Sequence, residues 1–341
     1  HLPSQMHLTI ATRTDPSLAL SRLRARGQLT ELRETDLRFT TDEVALFLKQ
    51  INHLPISLDE VRTLEDRTEG WITGLQLAAL AMQDFEQHDQ ISRFIHSFGG
   101  SHRYIIDYLV DEVLGQQTPQ DQEFLSKTSI LDHMVAPLCD AVTNRKDSQA
   151  TLERLETANL FLIPLDDERR WYRYHHLFAD LLRYHLRRKE AGAIPELHRL
   201  ASTWHEENGF ISRSIDHALA ADDSERAAGL VEEHYRTALM RGKVSTALGW
   251  LASLPDALVR SDPSLSVGYA WGLFLSGQVS AIEPRLQDAE TALSGHTRSS
   301  SNAGAELLGE IATLRSYLLR IQGDPLRGIA LAQQTLDLVP E

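Results

Sequence analysis

Two adjacent histidines, His175 and His176, lie in the stretch RWYRYHHLFADLLR, where an aromatic strand pattern gives way to a helical one. Histidine can bind a metal, act as a general base, or donate a hydrogen bond to an anion. A metal site needs ligands that converge, but adjacent side chains diverge, and His185 is about half a turn off the helix face of His176. His198 and His205 share a face but are about two turns apart. The histidine spacings therefore predict no metal site.

Catalytic chemistry has no supporting constellation in the sequence. No nucleophile elbow is present, and Cys139 in APLCDAV has no neighbouring base that could activate its thiol. Asp166 and Asp167 are adjacent carboxylates, but they fall in a predicted hairpin turn, where aspartate accepts local backbone hydrogen bonds. The sequence predicts no catalytic residue.

Composition limits the classes of protein to which the chain can belong. Its 341 residues allow two or three domains, and the 42% hydrophobic content is ordinary for a globular protein. A formal charge of −14 disfavours nonspecific attraction to nucleic acid or to an anionic membrane. A single cysteine excludes an intramolecular disulfide, and no apolar run is long enough to span a membrane. We expect a cytoplasmic protein without a membrane partner.

Nucleic-acid binding is favoured by one feature of the sequence, a cluster of seven basic side chains within 21 residues: Arg169, Arg170, Arg173, Arg183, Arg187, Arg188 and Lys189. A recognition helix should turn polar residues toward base edges, but LFADLL is mostly apolar. The last three cations close a helix, where they also favour the helix dipole without any ligand. The pattern disfavours DNA contact by this segment.

The elements change type along the chain. Residues 7–12 (HLTIAT) and 28–33 (QLTELR) are predicted to be strands on either side of a helix, which is typical of the end of an α/β sheet. From Thr41 onward the pattern is helical, and Ser57 followed by Glu60 predicts a capping box. Residues 159–176 have apolar residues on both sides of a polar turn, which predicts a β-hairpin that runs into a helix. Helices, hairpin and helix follow each other in the order of a winged helix.

After Glu190 the chain is predicted to be helical, with a weak repeat. Turn glycines stand 33, 35 and 46 residues apart: Gly209, Gly242, Gly277 and Gly323. The first two spacings are near the period of about 34 residues of tetratricopeptide helix pairs. The Ser/Gly-rich insertion Ser294–Gly304 accounts for the longer third spacing and is expected to be mobile. An unrepeated helical bundle remains the alternative.

One arginine is placed where ligands bind in open α/β folds. Arg13 in ATRTDP directly follows the first predicted strand, at the carboxyl edge of a sheet. A guanidinium offers rigid paired donors to a phosphate. A solvated arginine at a strand end is the alternative.

Several blocks together resemble one family: LTIATRTDPSLALSRLRARGQLTELR, LRFTTDEVALFL, RTEGWITGLQLAAL, GSHRYIIDYLVDEVL, TSILDHM, ANLFLIPLDDERRWYRYHHLFADLL and YAWGLFLSGQ. In this order they resemble the large ATP-dependent LuxR-type transcriptional regulators, the group of the maltose activator within the STAND signal-transduction ATPases. The resemblance covers nearly the whole chain. It implies a mainly α fold in which the C-terminal remnant of an α/β nucleotide-binding domain precedes a helical lid, a winged helix with its β-hairpin, and a tetratricopeptide-like α-solenoid.

The resemblance also implies domain bounds and nucleotide-binding residues. The implied domains are the end of a nucleotide-binding domain (1–40), a helical lid (41–116), a winged helix (117–190), a helical arm (191–254) and the start of sensor repeats (255–341). Arg13 matches the arginine that faces the terminal phosphate. Gly74 and Gln76 fall in GLQLA, which matches the segment lining the adenine pocket, although Gln76 replaces a proline. His175 matches a histidine that hydrogen-bonds the ADP phosphate, and His176 replaces an aspartate.

The case for His175 has a physical side as well. A histidine at a strand-to-helix junction can point at the phosphate edge of a sheet, and a charge-assisted hydrogen bond there contributes about 1.5 to 3 kcal/mol. That free energy is about a ten- to hundredfold bias toward an ADP-bound closed state. A structural histidine with satisfied hydrogen bonds is the alternative.

The resemblance implies ATP or ADP as the cofactor, with Mg in a full-length parent. The phosphate loop is absent from the sequence, so we expect no ATP hydrolysis by this chain and a slow switching ATPase in the parent. Because the chain opens with His1 and a predicted strand that needs neighbouring strands follows at once, we expect an internal fragment; a processed mature chain is the alternative. Expected partners are an inducer on the helical repeats, further copies of the protein after activation, and DNA through a C-terminal domain outside the sequence. The alternative is a protein-binding scaffold of helical repeats with an inert nucleotide-site remnant.

Overall fold

A computed structural model describes residues 8–12, 16, 18–52, 56–83, 85, 87–295 and 302–336. The chain forms two compact units, residues 1–197 and 198–341. Helices dominate both, and the strands of the described residues form one two-stranded sheet in the first unit. The prediction of a mainly α chain is confirmed.

Helix α1 (Leu20–Ala25) precedes the predicted lid. The lid region, residues 41–116, contains α2 (Thr41–Asn52), α3 (Leu58–Thr68), α4 (Ile72–Met82), α5 (His88–Ser97) and α6 (Arg103–Glu112). The predicted capping box opens α3: the Glu60 N–H donates to Ser57 Oγ (3.3 Å), and the Ser57 N–H donates to Glu60 Oε2 (2.8 Å). Helix α3 packs against α2, α4 and α5. Leu64 of α3 and Leu75 of α4 are fully buried, so these helices share the core of the lid.

The two strands predicted near the start of the chain are not found in the described residues. Neither residues 8–12 nor residues 28–33 form a strand, and Leu8 and Ile10 are 61% and 48% exposed. A strand is stable only when a neighbouring strand satisfies its backbone groups. No described strand pairs with either segment, so the prediction of buried strands is wrong for these residues. Residue 7 lies outside the described residues.

The winged helix follows the lid and consists of α7 (Pro119–Thr128), α8 (Ala136–Thr143), α9 (Ser148–Thr157), β1 (Leu162–Pro164), β2 (Tyr172–Tyr174) and α10 (His176–Glu190). Strand β1 pairs antiparallel with β2. Met134 extends the ladder: its N–H donates to the Tyr172 carbonyl (2.7 Å), and its carbonyl accepts from the Tyr172 N–H (2.9 Å). The predicted order of helices, hairpin and helix is confirmed. Helix α8 was not predicted, because eight residues give too few turns for a clear period.

The hairpin turn and the following helix form for local reasons. In the turn, Asp166 Oδ1 accepts a hydrogen bond from the Arg170 N–H (2.8 Å), as expected for aspartate in a turn. Helix α10 buries Leu177, Phe178 and Leu181 at helical spacing. Through this apolar stripe α10 packs against α3, α6 and α7.

The described residues after α10 are mainly helical: α11 (Ile194–Glu207), α12 (Ile211–Ala220), α13 (Ser224–Met240), α14 (Val244–Ser253), α15 (Asp256–Ser261), α16 (Pro263–Leu275), α17 (Ile282–Gly295), α18 (Asn302–Ile321) and α19 (Pro325–Leu336). The four predicted turn glycines each follow a helix and have a positive φ, between 73° and 88°. Glycine is favoured there because it has no Cβ to strain. Residues 296–301 of the predicted insertion lie outside the described residues.

Candidate functional site

His175 caps the N-terminus of α10 and is 1% exposed. Its Nε2 lies 2.9 Å from the carbonyl oxygen of Thr68, and the Leu177 N–H donates to its Nδ1 (3.3 Å). Nδ1 is therefore an acceptor and Nε2–H a donor. Both ring nitrogens are engaged within the protein, as in the alternative of a structural histidine. Its role as a phosphate contact stays a prediction.

Aromatic rings and a glycine hold His175 in place. Trp71 and Phe161 approach its ring edge-on, with centroids 6.0 and 5.7 Å away. Gly74 of α4 allows this packing, since a Cβ there would lie 2.7 Å from the Trp71 ring and 3.3 Å from Leu177. Gly74 thus has a clear packing role.

For the two other residues that were predicted to bind nucleotide, the structure describes no contact with His175. Gln76 is half-buried in α4, and Arg13 lies outside the described residues. Their assignment to adenine and phosphate stays a prediction that rests on the resemblance.

Glu69 joins the lid to the winged helix and was missed by sequence reasoning. Its carboxylate accepts two parallel hydrogen bonds from Arg173, Nη1 to Oε1 and Nη2 to Oε2, both 2.8 Å. Arg38 Nη1 donates to Oε2 (3.2 Å), and the backbone N–H of His176 donates to Oε1 (3.1 Å). The side chain is 9% exposed. These donors come from two segments, one at Arg38 and one at residues 173–176, that are both far from Glu69 in the sequence, so no local pattern indicates the contact.

The end of α3 explains how Glu69 reaches these donors. Glu69 terminates the helix with a left-handed φ of 49°, and Gly70 follows with a φ of 70°. The Phe39 N–H donates to the Gly70 carbonyl (2.9 Å), and a Cβ on Gly70 would lie 2.4 Å from the Phe39 carbonyl oxygen. This close approach brings Arg38 to the carboxylate.

The ionisation of Glu69 follows from its neighbours. Burial alone would raise the pKa of its carboxyl, but the hydrogen bonds from Arg173 and from the His176 N–H, together with the charge of Arg173, lower the pKa to about 2. Glu69 is therefore an anion at neutral pH. Its negative charge sits at the N-terminus of α10, where the helix dipole favours an anion.

Two cavities flank this contact. The first, of about 460 Å³, is lined by Thr35, Arg38, Phe39, Thr40, Glu65, Asp66, Glu69, Arg173 and His176. The second, of about 470 Å³, lies between the lid and α10. Arg173 and His176 line both cavities. The His176 side chain is 63% exposed, so of the two adjacent histidines it is His176 that faces the open space.

A second histidine cluster lies in the helical array. His198 and His217 face each other through Nδ1 atoms 2.8 Å apart, and the rings of His205 and His217 are stacked with centroids 5.2 Å apart. His217 was missed because it lies on the next helix. Among the described residues no group of three or more His, Cys, Asp or Glu side chains could hold a metal ion.

The remaining candidate chemistries find no support in the described residues. Cys139 is fully buried, and burial together with the charge of Asp140 raises the pKa of its thiol. A thiol in that state is unreactive. No helix within the described ranges is long and apolar enough to cross a membrane.

Several of the clustered basic side chains are used within the protein. Arg183 donates to the Ser129 carbonyl and to Asp132, both at 2.8 Å. Arg173 is bound by Glu69. Direct contact of this segment with DNA is not tested by these contacts, and its absence stays a prediction.

A family model and two curated relatives match this chain. Residues 110–194 match the family model described as the MalT winged helix domain. The chain is 32% identical over 311 residues to the serine/threonine-protein kinase PknK of Mycobacterium tuberculosis, which covers 91% of this chain and 28% of the kinase. It is also 32% identical over 341 residues to the HTH-type transcriptional regulator MalT of Klebsiella pneumoniae, which covers 100% of this chain and 37% of that protein.

The chain also aligns with a solved structure, that of a STAND protein with a tetratricopeptide repeat sensor from Pyrococcus horikoshii. It aligns with 89% of this chain and 47% of its own chain, with a TM-score of 0.42 and 11% identity. The chain spans 28% to 37% of the length of the curated relatives it matches.

Proposed function

We propose that this chain, which is MalT-like over its full length and carries a MalT winged helix domain, is the signal-transducing segment of an ATP-dependent transcriptional activator. The observation that carries the proposal is the full-length similarity to MalT together with the winged-helix match. In the proposed mechanism, ADP favours a closed form and ATP an open form. Inducer binding on the helical repeats and nucleotide state together decide whether the protein self-associates and activates transcription.

The two relatives support a regulatory rather than a catalytic role. One is named a protein kinase and the other a transcriptional regulator, yet both match this chain over at least 91% of its length. A segment shared by proteins with such different outputs is suited to sensing and switching. We propose that the chain itself does not catalyse a reaction and that ATP, with Mg, is bound in the full-length parent.

The nucleotide proposal is tested in the full-length parent with His175→Ala. ADP affinity is measured by calorimetry, and basal transcription is measured with a reporter. We expect ADP affinity to fall about tenfold or more, because a charge-assisted hydrogen bond contributes about 1.5 to 3 kcal/mol. Basal activation should rise, because the closed form loses its ligand.

A matched control is needed because His175 is buried. Trp71→Phe disturbs the aromatic packing around the ring but leaves both ring nitrogens in place. ADP affinity should fall in His175→Ala and stay close to wild type in Trp71→Phe. An unchanged ADP affinity in a folded His175→Ala protein would show that His175 is structural only.

A protein-binding scaffold is the second candidate. Residues 191–341 carry 12 basic and 19 acidic side chains, a net charge of −7, which suits a basic or neutral partner. The scaffold and the switch differ in one measurement: calorimetry of the parent with ADP gives no heat if the nucleotide site is inert.

A further inference from the structure

The lid and the winged helix meet at the end of α3, where three consecutive residues contact the winged helix or the segment before α2. The Thr68 carbonyl accepts from His175, and the Glu69 carboxylate accepts from Arg173 and from the His176 N–H. Gly70 holds the backbone beside Phe39. The charged part of this junction is concentrated in one carboxylate.

The hydrogen bonds from Arg173 to that carboxylate depend on how the lid and the winged helix are placed relative to each other. Two parallel N–H···O bonds of 2.8 Å require the guanidinium and the carboxylate to be coplanar and fully in register. Glu69 belongs to the lid, whereas Arg173 lies on β2 of the winged helix. Any separation of the two parts therefore breaks both bonds together, and leaves a half-buried anion without its main partner.

The contact is also reachable from solvent. The side chains of Arg38 and Arg173 are each 25% exposed, and both line the first cavity. By contrast, the neighbouring bond between His175 and Thr68 is buried. A charged pair that borders open space can be weakened by a competing ion, whereas a buried neutral hydrogen bond cannot be reached.

The backbone at Glu69 is held in a conformation that a non-glycine residue rarely adopts, with a φ of 49°. Such a conformation persists when surrounding contacts hold it. The four hydrogen bonds to the carboxylate are contacts of that kind.

We propose that Glu69 is an electrostatic latch that holds the lid against the winged helix, and that release of Arg173 from Glu69 is a step in opening. The inference rests on the proposed switching function, because a latch has a role only if the two parts separate. Arg173 and His176 line both cavities, so a ligand that enters either one contacts the latch.

The latch is tested on this chain, without nucleotide, by amide hydrogen exchange of Glu69→Gln, Arg173→Gln and the double variant. The readout is exchange in peptides that cover residues 171–180, which include the His176 N–H that Glu69 binds. We expect exchange there to be about tenfold to a hundredfold faster in each single variant. The double variant should be no faster than Glu69→Gln alone, because that substitution already removes the contact with Arg173.

Glu65→Gln is the matched control. Glu65 lines the same cavity and carries the same charge, but it is bound by the Thr41 hydroxyl within the lid. Exchange over residues 171–180 should be the same in Glu65→Gln as in wild type. If Glu69→Gln does not fold, Arg173→Lys gives the readout, because it keeps the charge and loses the two-pronged geometry.

Wild-type exchange in Glu69→Gln, or in Arg173→Lys, would overturn the latch, as would single-variant effects that add in the double variant. The proposed function can fail separately. Coupling between Glu69 and Arg173 together with a parent that binds no ADP would leave the latch in place and remove the nucleotide switch.

Discussion

At the scale of single residues, the environment of His205 disfavours its charged form. It is 1% exposed, and its Nδ1 has no hydrogen-bond partner among the described residues. Burial, aided by the positive charge of Arg213, lowers its pKa from 6.5 to about 4. His205 is therefore neutral in the folded chain at neutral pH, where its ring stacks on His217.

Folding stability should depend on His205 as the pH falls. Its folded-state pKa is lower than its unfolded-state pKa, so the unfolded chain takes up the proton first and stability is lost between pH 6.5 and about 4. At pH 5 the loss is about 2 kcal/mol. Denaturant unfolding at pH 7.5 and pH 5 measures it. His205→Leu should remove this part of the pH dependence, and the exposed His96→Leu should not; equal slopes in both variants would assign the effect elsewhere.

Glu69 gives a pH dependence of a different origin at lower pH. Its folded-state pKa of about 2 is depressed below the ordinary value of 4.5, so its contribution is fully present above pH 4.5 and is lost as the pH falls toward 2. The full contribution is about 3 kcal/mol. Acid unfolding should therefore be shallower in Glu69→Gln than in wild type below pH 4.5, whereas Glu65→Gln should keep the wild-type slope. A Glu69→Gln curve parallel to wild type contradicts the prediction.

At the scale of elements, the packing of the lid on α10 depends on one glycine. A Cβ on Gly100 would lie 1.9 Å from the Leu177 carbonyl oxygen and 2.7 Å from the Leu181 nitrogen. Both atoms are backbone atoms of α10, which cannot move like a side-chain tip. The loop between α5 and α6 can therefore approach α10 only without a side chain at this position.

Gly100→Ala should destabilise the chain by about 1 to 3 kcal/mol or more, because overpacking forces the backbone to shift. Gly229→Ala is the control, since nothing lies within 4 Å of its Cβ position in α13. In the interior of a helix, alanine is favoured over glycine by about 1 kcal/mol. Denaturant midpoints should move in opposite directions for the two variants, and a neutral Gly100→Ala would show that this loop is free to adjust.

At the scale of the whole molecule, charge decides how the chain meets nucleic acid. Its formal charge is −14, and the cations near the hairpin are partly used in internal ion pairs such as Arg173 with Glu69 and Arg183 with Asp132. A phosphate backbone attracts proteins mainly through free positive charge. The chain itself should therefore bind duplex DNA weakly.

We expect no measurable binding of this chain to duplex DNA in fluorescence anisotropy at about 50 mM salt, where electrostatic binding is strongest. The full-length parent under the same conditions is the positive control, because its proposed helix-turn-helix supplies the contacts. Salt-sensitive binding by the isolated chain would assign a DNA-contacting role to the basic residues around the hairpin.

The features of the fold that were predicted correctly depend on short stretches of sequence. The capping box at Ser57 and Glu60, the Asp166 turn and the turn glycine at Gly209 each depend on residues within a few positions of one another. The strand predicted at residues 8–12 is not found, because a strand depends on residues that are distant in the sequence. An apolar β-branched pattern indicates a strand, but pairing depends on partners elsewhere.

The site shows the same division. The sequence by itself determined that His175 stands at a strand-to-helix junction, because the aromatic alternation and the helical period meet there. Only the tertiary structure decided that its ring nitrogens bind Thr68 and Leu177, and that Glu69 meets Arg173 across 104 residues. The physical reason is that periodicity and capping act over one or two turns, whereas the partners of a buried charge are chosen by how the helices pack.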